Sequence, residues 1–239
     1  MTHEQSRTRW LAGHGPIVHR PDTVERVDAL VARLRVDGRL EDADAAYALL
    51  AAADRLTCTA MNVVAHMTYA RRIDLSGTPL AAEDFKPVPE GHTGGALNMV
   101  QAFVGYLLAN ALSGHTRGWV MGQGHCVAAI EAVNALTGDV SEAQRGRYDR
   151  SEAGLSRLIA DFYSYAIGAD GQPAVPLGSH AGPNTAGAVS EGGYLGFAEL
   201  QYVHMPLAGE RLVAFLSDGA FEEQRGPDWA PRWWRARDS

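Results

Sequence analysis

Apolar residues recur every three or four positions across residues 21–40, where Val24, Val27, Leu30, Val31 and Leu34 would share one face of a helix. Asp22 stands where an N-cap is expected. Residues 41–72 are rich in Ala, Leu and Met and contain neither Gly nor Pro, which predicts one long, largely buried helix or a closely joined pair. His66 inside this run reads as a satisfied core or helix-face histidine rather than a catalytic one. Residues 76–95 break the pattern with Pro79, Pro87, Pro89 and several glycines, so a loop is predicted. Helical spacing returns directly after those glycines at 96–111, then at 127–136, within 145–168 and at 195–202. Two short β-type runs, 117–121 and 211–216, each lead into a glycine-bearing turn.

Strand and helix alternate after about Gly91, which argues for an α/β layer: a parallel sheet flanked by helices. The expected organisation is a helical N-terminal region over residues 1–75 and an α/β domain over 76–239. Strand, glycine loop and helix in that order present loop residues at the carboxyl end of a parallel sheet.

Composition narrows the function classes. The net charge of −7 and the scatter of basic residues argue against a nucleic-acid partner. Cys58 and Cys126 lie far apart without CxxC spacing, so two reduced thiols are expected rather than a disulfide framework or a cysteine zinc site. Residues 1–10 are polar, unlike a signal peptide, and no run approaches the roughly 18 consecutive apolar residues of a membrane span. A cytoplasmic protein without a membrane partner is the expectation.

Four glycine-flanked polar sites fall on the loops: His92 in GHTGG, His125 in GQGHC, His180 with Glu191 in SHAGPNTAGAVSEGGYLG, and Asp218 in LSDGA. Any one alone could be a polar residue in an ordinary turn. Together they suggest chemistry, because imidazoles titrate near neutrality and suit proton transfer. His92 precedes a predicted helix, whose free N–H groups suit an anion. Asp218 follows a buried β-type run, so its carboxylate could hold a hard cation beside a diphosphate, and Gly219 would let the backbone approach phosphate.

In order and spacing these loops resemble the phosphoketolase family, which carries a G-H-x-G loop, a G-x-G-H-G-G loop, an S-H-x-x-P-x-T-x-G-x-x-x-E-G-G-x-L-G loop and a hydrophobic strand ending in G-D-G. The corresponding residues here are Gly91-His92-Thr93-Gly94, Gly122-Gln123-Gly124-His125, Ser179-His180 through Pro183, Thr185, Gly187, Glu191-Gly192-Gly193, Leu195 and Gly196, and Ser217-Asp218-Gly219. Phe85-Lys86-Pro87 resembles the family's I-K-P-R segment. The resemblance implies an incomplete thiamine-diphosphate-binding domain of the transketolase type. It implies that Gly124, His125, Glu191, Gly192, Gly193, Asp218 and Gly219 line the thiamine diphosphate site, with His125 and Gly193 against the diphosphate. Asp218 would be one ligand of Mg2+, while His92 and His180, with His125, would act on the sugar phosphate. The implied reaction cleaves a ketose phosphate with inorganic phosphate to acetyl phosphate and an aldose phosphate.

The chain departs from the family pattern at Ser217, Ala220, Ser190, Cys126 and Val127. The family's second metal ligand is an asparagine well beyond the G-D-G motif, and no asparagine follows Gly219 here. A second polypeptide carrying the remaining ligands, in a dimer of the assembled enzyme, is therefore expected. Transketolase-like two-carbon transfer on a specialised substrate, or a non-catalytic subunit that keeps the fold, are the alternatives.

Overall fold

The computed structural model describes residues 3–121, 126–176 and 212–215. These are helix-rich: α1 His3–Leu11, α2 Pro21–Val36, α3 Ala43–Tyr69, a 3-10 turn Ala82–Asp84, α4 Thr93–Ser113, β1 Gly118–Met121, α5 Val127–Thr137, α6 Glu142–Arg145, α7 Glu152–Asp161 and β2 Leu212–Phe215.

The long apolar run forms one continuous helix of 27 residues rather than a pair, capped by the Asp42 side chain accepting from the Asp44 N–H. Helical spacing gives α3 two buried patches. Ala43, Ala46, Tyr47 and Ala51 pack with Trp10 of α1 and Val31 of α2. Ala60, Val63, Val64 and Met67 pack with Met99, Val100 and Phe103 of α4, the alanine-rich α5, and Leu155, Leu158 and Ile159 of α7. By length and mean hydropathy, 1.2 and 1.3, α3 and α4 would also suit a membrane, which a count of consecutive apolar residues does not register. Here their apolar stripes face other helices.

Two boundaries differ from expectation. Asp22 is not the cap of α2; Pro21 occupies the start of the helix and Arg20 precedes it in an extended conformation without a side-chain cap. Proline's fixed φ and missing N–H suit the first helical position, so the helix opens before Asp22, whose charge then lies in the first turn. Helix α4 starts at Thr93, not after the glycines, because His92 caps it.

The polar pattern of the first ten residues did not predict α1. Tertiary contacts hold it: Ser6 Oγ donates to Asp44 Oδ2 at 2.9 Å. The Arg7 guanidinium grips both oxygens of Asp28 at 3.1 and 2.5 Å. Trp10, 2% exposed, lies between the rings of His19 and Tyr47, and His19 Nε2 meets Asp54 Oδ2 at 2.8 Å.

Strands β1 and β2 pair in parallel, with Gly118 opposite Leu212 and Met121 opposite Phe215. Strand structure among the described residues is this one ladder. Phe103 and Tyr106 of α4 close over it against Trp119 and Phe215, at centroid distances of 5.2–6.3 Å.

Candidate functional site

The last turn of α3 leaves carbonyls without helical partners, and the loop preceding α4 supplies their donors. Lys86 Nζ donates to the Met67 carbonyl at 2.8 Å, Glu90 N to Thr68 at 3.1 Å and Lys86 N to Tyr69 at 2.9 Å. The Lys86 charge also complements the negative end of the helix. Further along, Arg72 Nε donates to Asp84 Oδ1 at 2.8 Å, and the Leu75 N–H donates to Glu152 Oε2 at 2.9 Å. These bonds hold in place a proline-rich segment that carries only the short 3-10 turn Ala82–Asp84.

The segment delivers Gly91 and His92. Gly91 adopts φ +84, a left-handed conformation natural to glycine, and its α-carbon lies against the Tyr163 phenol ring. His92 then caps α4: its Nδ1 accepts the Gly95 N–H at 3.0 Å. An accepting Nδ1 places the proton of the neutral ring on Nε2, so the exposed side of the imidazole is a donor.

Tyr163, which the sequence did not single out, organises this corner. It takes φ +67, a strained value for a bulky residue. Its ring packs edge-on to Phe162 at 4.3 Å and lies 5.8 Å from the Lys86 ammonium. Burial pushes its hydroxyl up to about 12, with the charges of Tyr165, Cys126 and Glu90 adding to the rise and a hydrogen bond from the His92 backbone opposing it. Tyr163 thus ties the His92 loop to the hydrophobic core that also holds Cys126, the residue that opens α5. The sequence signal was only the aromatic string Phe162, Tyr163 and Tyr165; the left-handed backbone that turns the ring inward has no sequence mark.

Cys126 is the N-cap of α5 and makes no side-chain capping bond. It is buried, and burial pushes its thiol up to about 12. Glu131, one turn into α5, is also raised by desolvation. Among the described residues no cluster of three His, Cys, Asp or Glu side chains forms a metal site. His66 is a satisfied helix-face residue, its Nδ1 donating to the Asn62 carbonyl at 2.8 Å. Both cysteines are free.

Of the expected site residues only His92 lies among those described. Gly124, His125, His180, Glu191, Gly192, Gly193, Asp218 and Gly219 lie outside them. The ladder does fix the strand ends: Met121 and Phe215 sit side by side at the carboxyl edge. Gly122 follows the first of these strands and Leu216 the second.

Residues 46–231 match the family model described as the XFP N-terminal domain. The chain is 30% identical over 155 residues to a probable phosphoketolase of Pseudomonas putida, covering 62% of this chain and 18% of that protein. It is 32% identical over 151 residues to one of Bradyrhizobium diazoefficiens (62% and 17%) and 30% over 163 residues to one of Methylococcus capsulatus (67% and 19%). It thus spans less than a fifth of the length of these relatives. No solved structure matches. With most of its length inside the family model, and its His92 loop inside that span, the chain belongs to the phosphoketolase N-terminal domain family.

Proposed function

We propose that this chain is one part of a thiamine-diphosphate-dependent phosphoketolase, completed by a second polypeptide in a dimeric assembly in the cytoplasm. The observation that carries the reading is the parallel register of Met121 with Phe215. It joins the carboxyl ends of the two strands whose following segments contain Gly124-His125 and Asp218-Gly219.

The donor set suits a diphosphate and its cation. An α5 N-terminus without a side-chain cap has first-turn N–H groups available to an anion. Asp218 is a hard oxygen donor for Mg2+, and His125, Glu191, Gly192 and Gly193 would complete the cradle, as the loop motifs they belong to imply. When bound, thiamine diphosphate supplies the carbanion chemistry that breaks the ketose carbon–carbon bond. The chain's part is orientation and proton movement. His92, with Nδ1 committed to Gly95, offers its Nε2 proton to a sugar oxygen. His180 and His125 supply the remaining imidazoles. The overall reaction turns a ketose phosphate and inorganic phosphate into acetyl phosphate, a shortened aldose phosphate and water.

Reconstitution provides the test. The chain is mixed with a polypeptide carrying the rest of the enzyme, thiamine diphosphate, Mg2+ and xylulose 5-phosphate, and acetyl phosphate is trapped as hydroxamate. Phosphate-dependent product that disappears in Asp218→Ala is expected. Absence of both thiamine binding and ketose cleavage would sink the proposal, and a two-carbon transfer independent of phosphate would replace it with transketolase-like chemistry.

A further inference from the structure

Tyr163 belongs to none of the loop motifs, yet it holds two consecutive residues of the His92 loop. Its ring stands where a Cβ on Gly91 would lie, and its hydroxyl accepts the His92 N–H. Neither contact is free to drift. The phenol is 8% exposed, packs edge-on to Phe162 at 4.3 Å and hangs from a left-handed backbone at φ +67. Lys86, whose ammonium lies 5.8 Å from the ring centre, is itself held by Met67 O and Glu90 Oε2, each at 2.8 Å. Burial pushes the Tyr163 hydroxyl up to about 12, so it stays a neutral acceptor at ordinary pH. With Arg71, Lys86 and Glu90, Tyr163 also lines an open cleft of about 510 Å3, so the corner it holds borders space large enough for a small molecule.

What this clamp holds is the N-cap of α4. His92 sits at φ −122 and ψ 86, and from there its Nδ1 accepts the Gly95 N–H at 3.0 Å. A capping side chain reaches that N–H only while its own backbone keeps the non-helical conformation of the cap. His92 is exposed, so water could satisfy its backbone N–H, but water would not fix the direction of that bond. A buried, wedged hydroxyl does both. We propose that Tyr163 is a positioning residue for proton donation by His92: its hydroxyl fixes the His92 backbone, the backbone fixes the capping bond, and the capping bond aims the Nε2 proton. Misplacing a reacting group by about 1 Å can cost about a hundredfold in rate, which gives kinetic weight to a bond remote from the reacting atoms. The proton donation rests on the function proposed above, whereas the orientation of the imidazole does not.

Tyr163→Phe tests it, because the ring stays and only the hydroxyl goes. In the intact chain, without thiamine or a partner, the exchange rate of the Gly95 amide with water, read by NMR, should rise about fivefold, the weight of one hydrogen bond. Amides of α5 and α7 should keep their rates, which shows that the variant is folded. His92→Ala should speed Gly95 at least as much, and adding Tyr163→Phe to it should speed Gly95 no further. An unchanged Gly95 rate in Tyr163→Phe would overturn the inference, as would an equal further rise in the His92→Ala background, since the hydroxyl would then act without the imidazole. In the reconstituted enzyme, Tyr163→Phe should lower kcat for acetyl phosphate about tenfold and leave KM for xylulose 5-phosphate unchanged; an effect confined to KM would also overturn it. Should the parent complex make no acetyl phosphate, the phosphoketolase reading falls, and the Gly95 rates still decide whether Tyr163 positions the imidazole.

Discussion

Gly91→Ala probes the corner that positions His92. A Cβ built on Gly91 would lie 2.7 Å from Tyr163 Cε2 and closer still to Cζ and the hydroxyl. Gly91 also sits at φ +84. The left-handed backbone alone costs an L-residue about 1–2 kcal/mol. Overpacking adds about 1–3 kcal/mol, because Tyr163 is 8% exposed and wedged against Phe162 at 4.3 Å. The expected loss is therefore about 2–5 kcal/mol by chemical denaturation. A double-mutant cycle separates the two contributions: with Tyr163→Ala in the background, only the backbone cost of about 1–2 kcal/mol should remain, a coupling of about 1–3 kcal/mol. A loss below about 1 kcal/mol in the parent, or the same loss in both backgrounds, would show that Tyr163 does not define this turn.

Three further outcomes are expected. The Arg7 guanidinium, with help from the Tyr47 hydroxyl, holds the Asp28 carboxyl below its ordinary 3.8. A lowered folded value means that this support is fully present above about pH 4 and is lost as the pH falls through the folded value. The protection factors of the α1 amides, taken against the intrinsic exchange rate at each pH, should fall in acid, and Asp28→Asn should flatten that dependence. Iodoacetamide at pH 8 should label the partly exposed Cys58 and spare Cys126, whose thiol burial pushes up to about 12, until guanidinium is added; equal native rates would contradict that burial. Leu158→Ala, in an α7 residue 1% exposed within the larger hydrophobic core, should cost about 2–5 kcal/mol in urea denaturation.

Elements whose cause is local were legible without coordinates. Helices α2, α3 and α5 and both strands were marked by periodicity and by the absence or presence of Gly and Pro, since a helical stripe or a short apolar run is a property of neighbouring residues. The family was legible from loop motifs, because their order and spacing along the chain are properties of the sequence alone. Helix α1 was not, since its polar sequence folds only through Asp28, Asp44 and Tyr47, residues brought to it by two other helices. His92 was visible as a loop histidine, but its capping bond to Gly95, and hence which ring nitrogen carries the proton, required the backbone. Tyr163 and the Arg71–Lys86 cleft belong wholly to tertiary structure. Residues about ninety positions apart meet there because the end of α3, the proline-rich loop and the end of α7 converge, and no local pattern encodes a meeting of three chain segments.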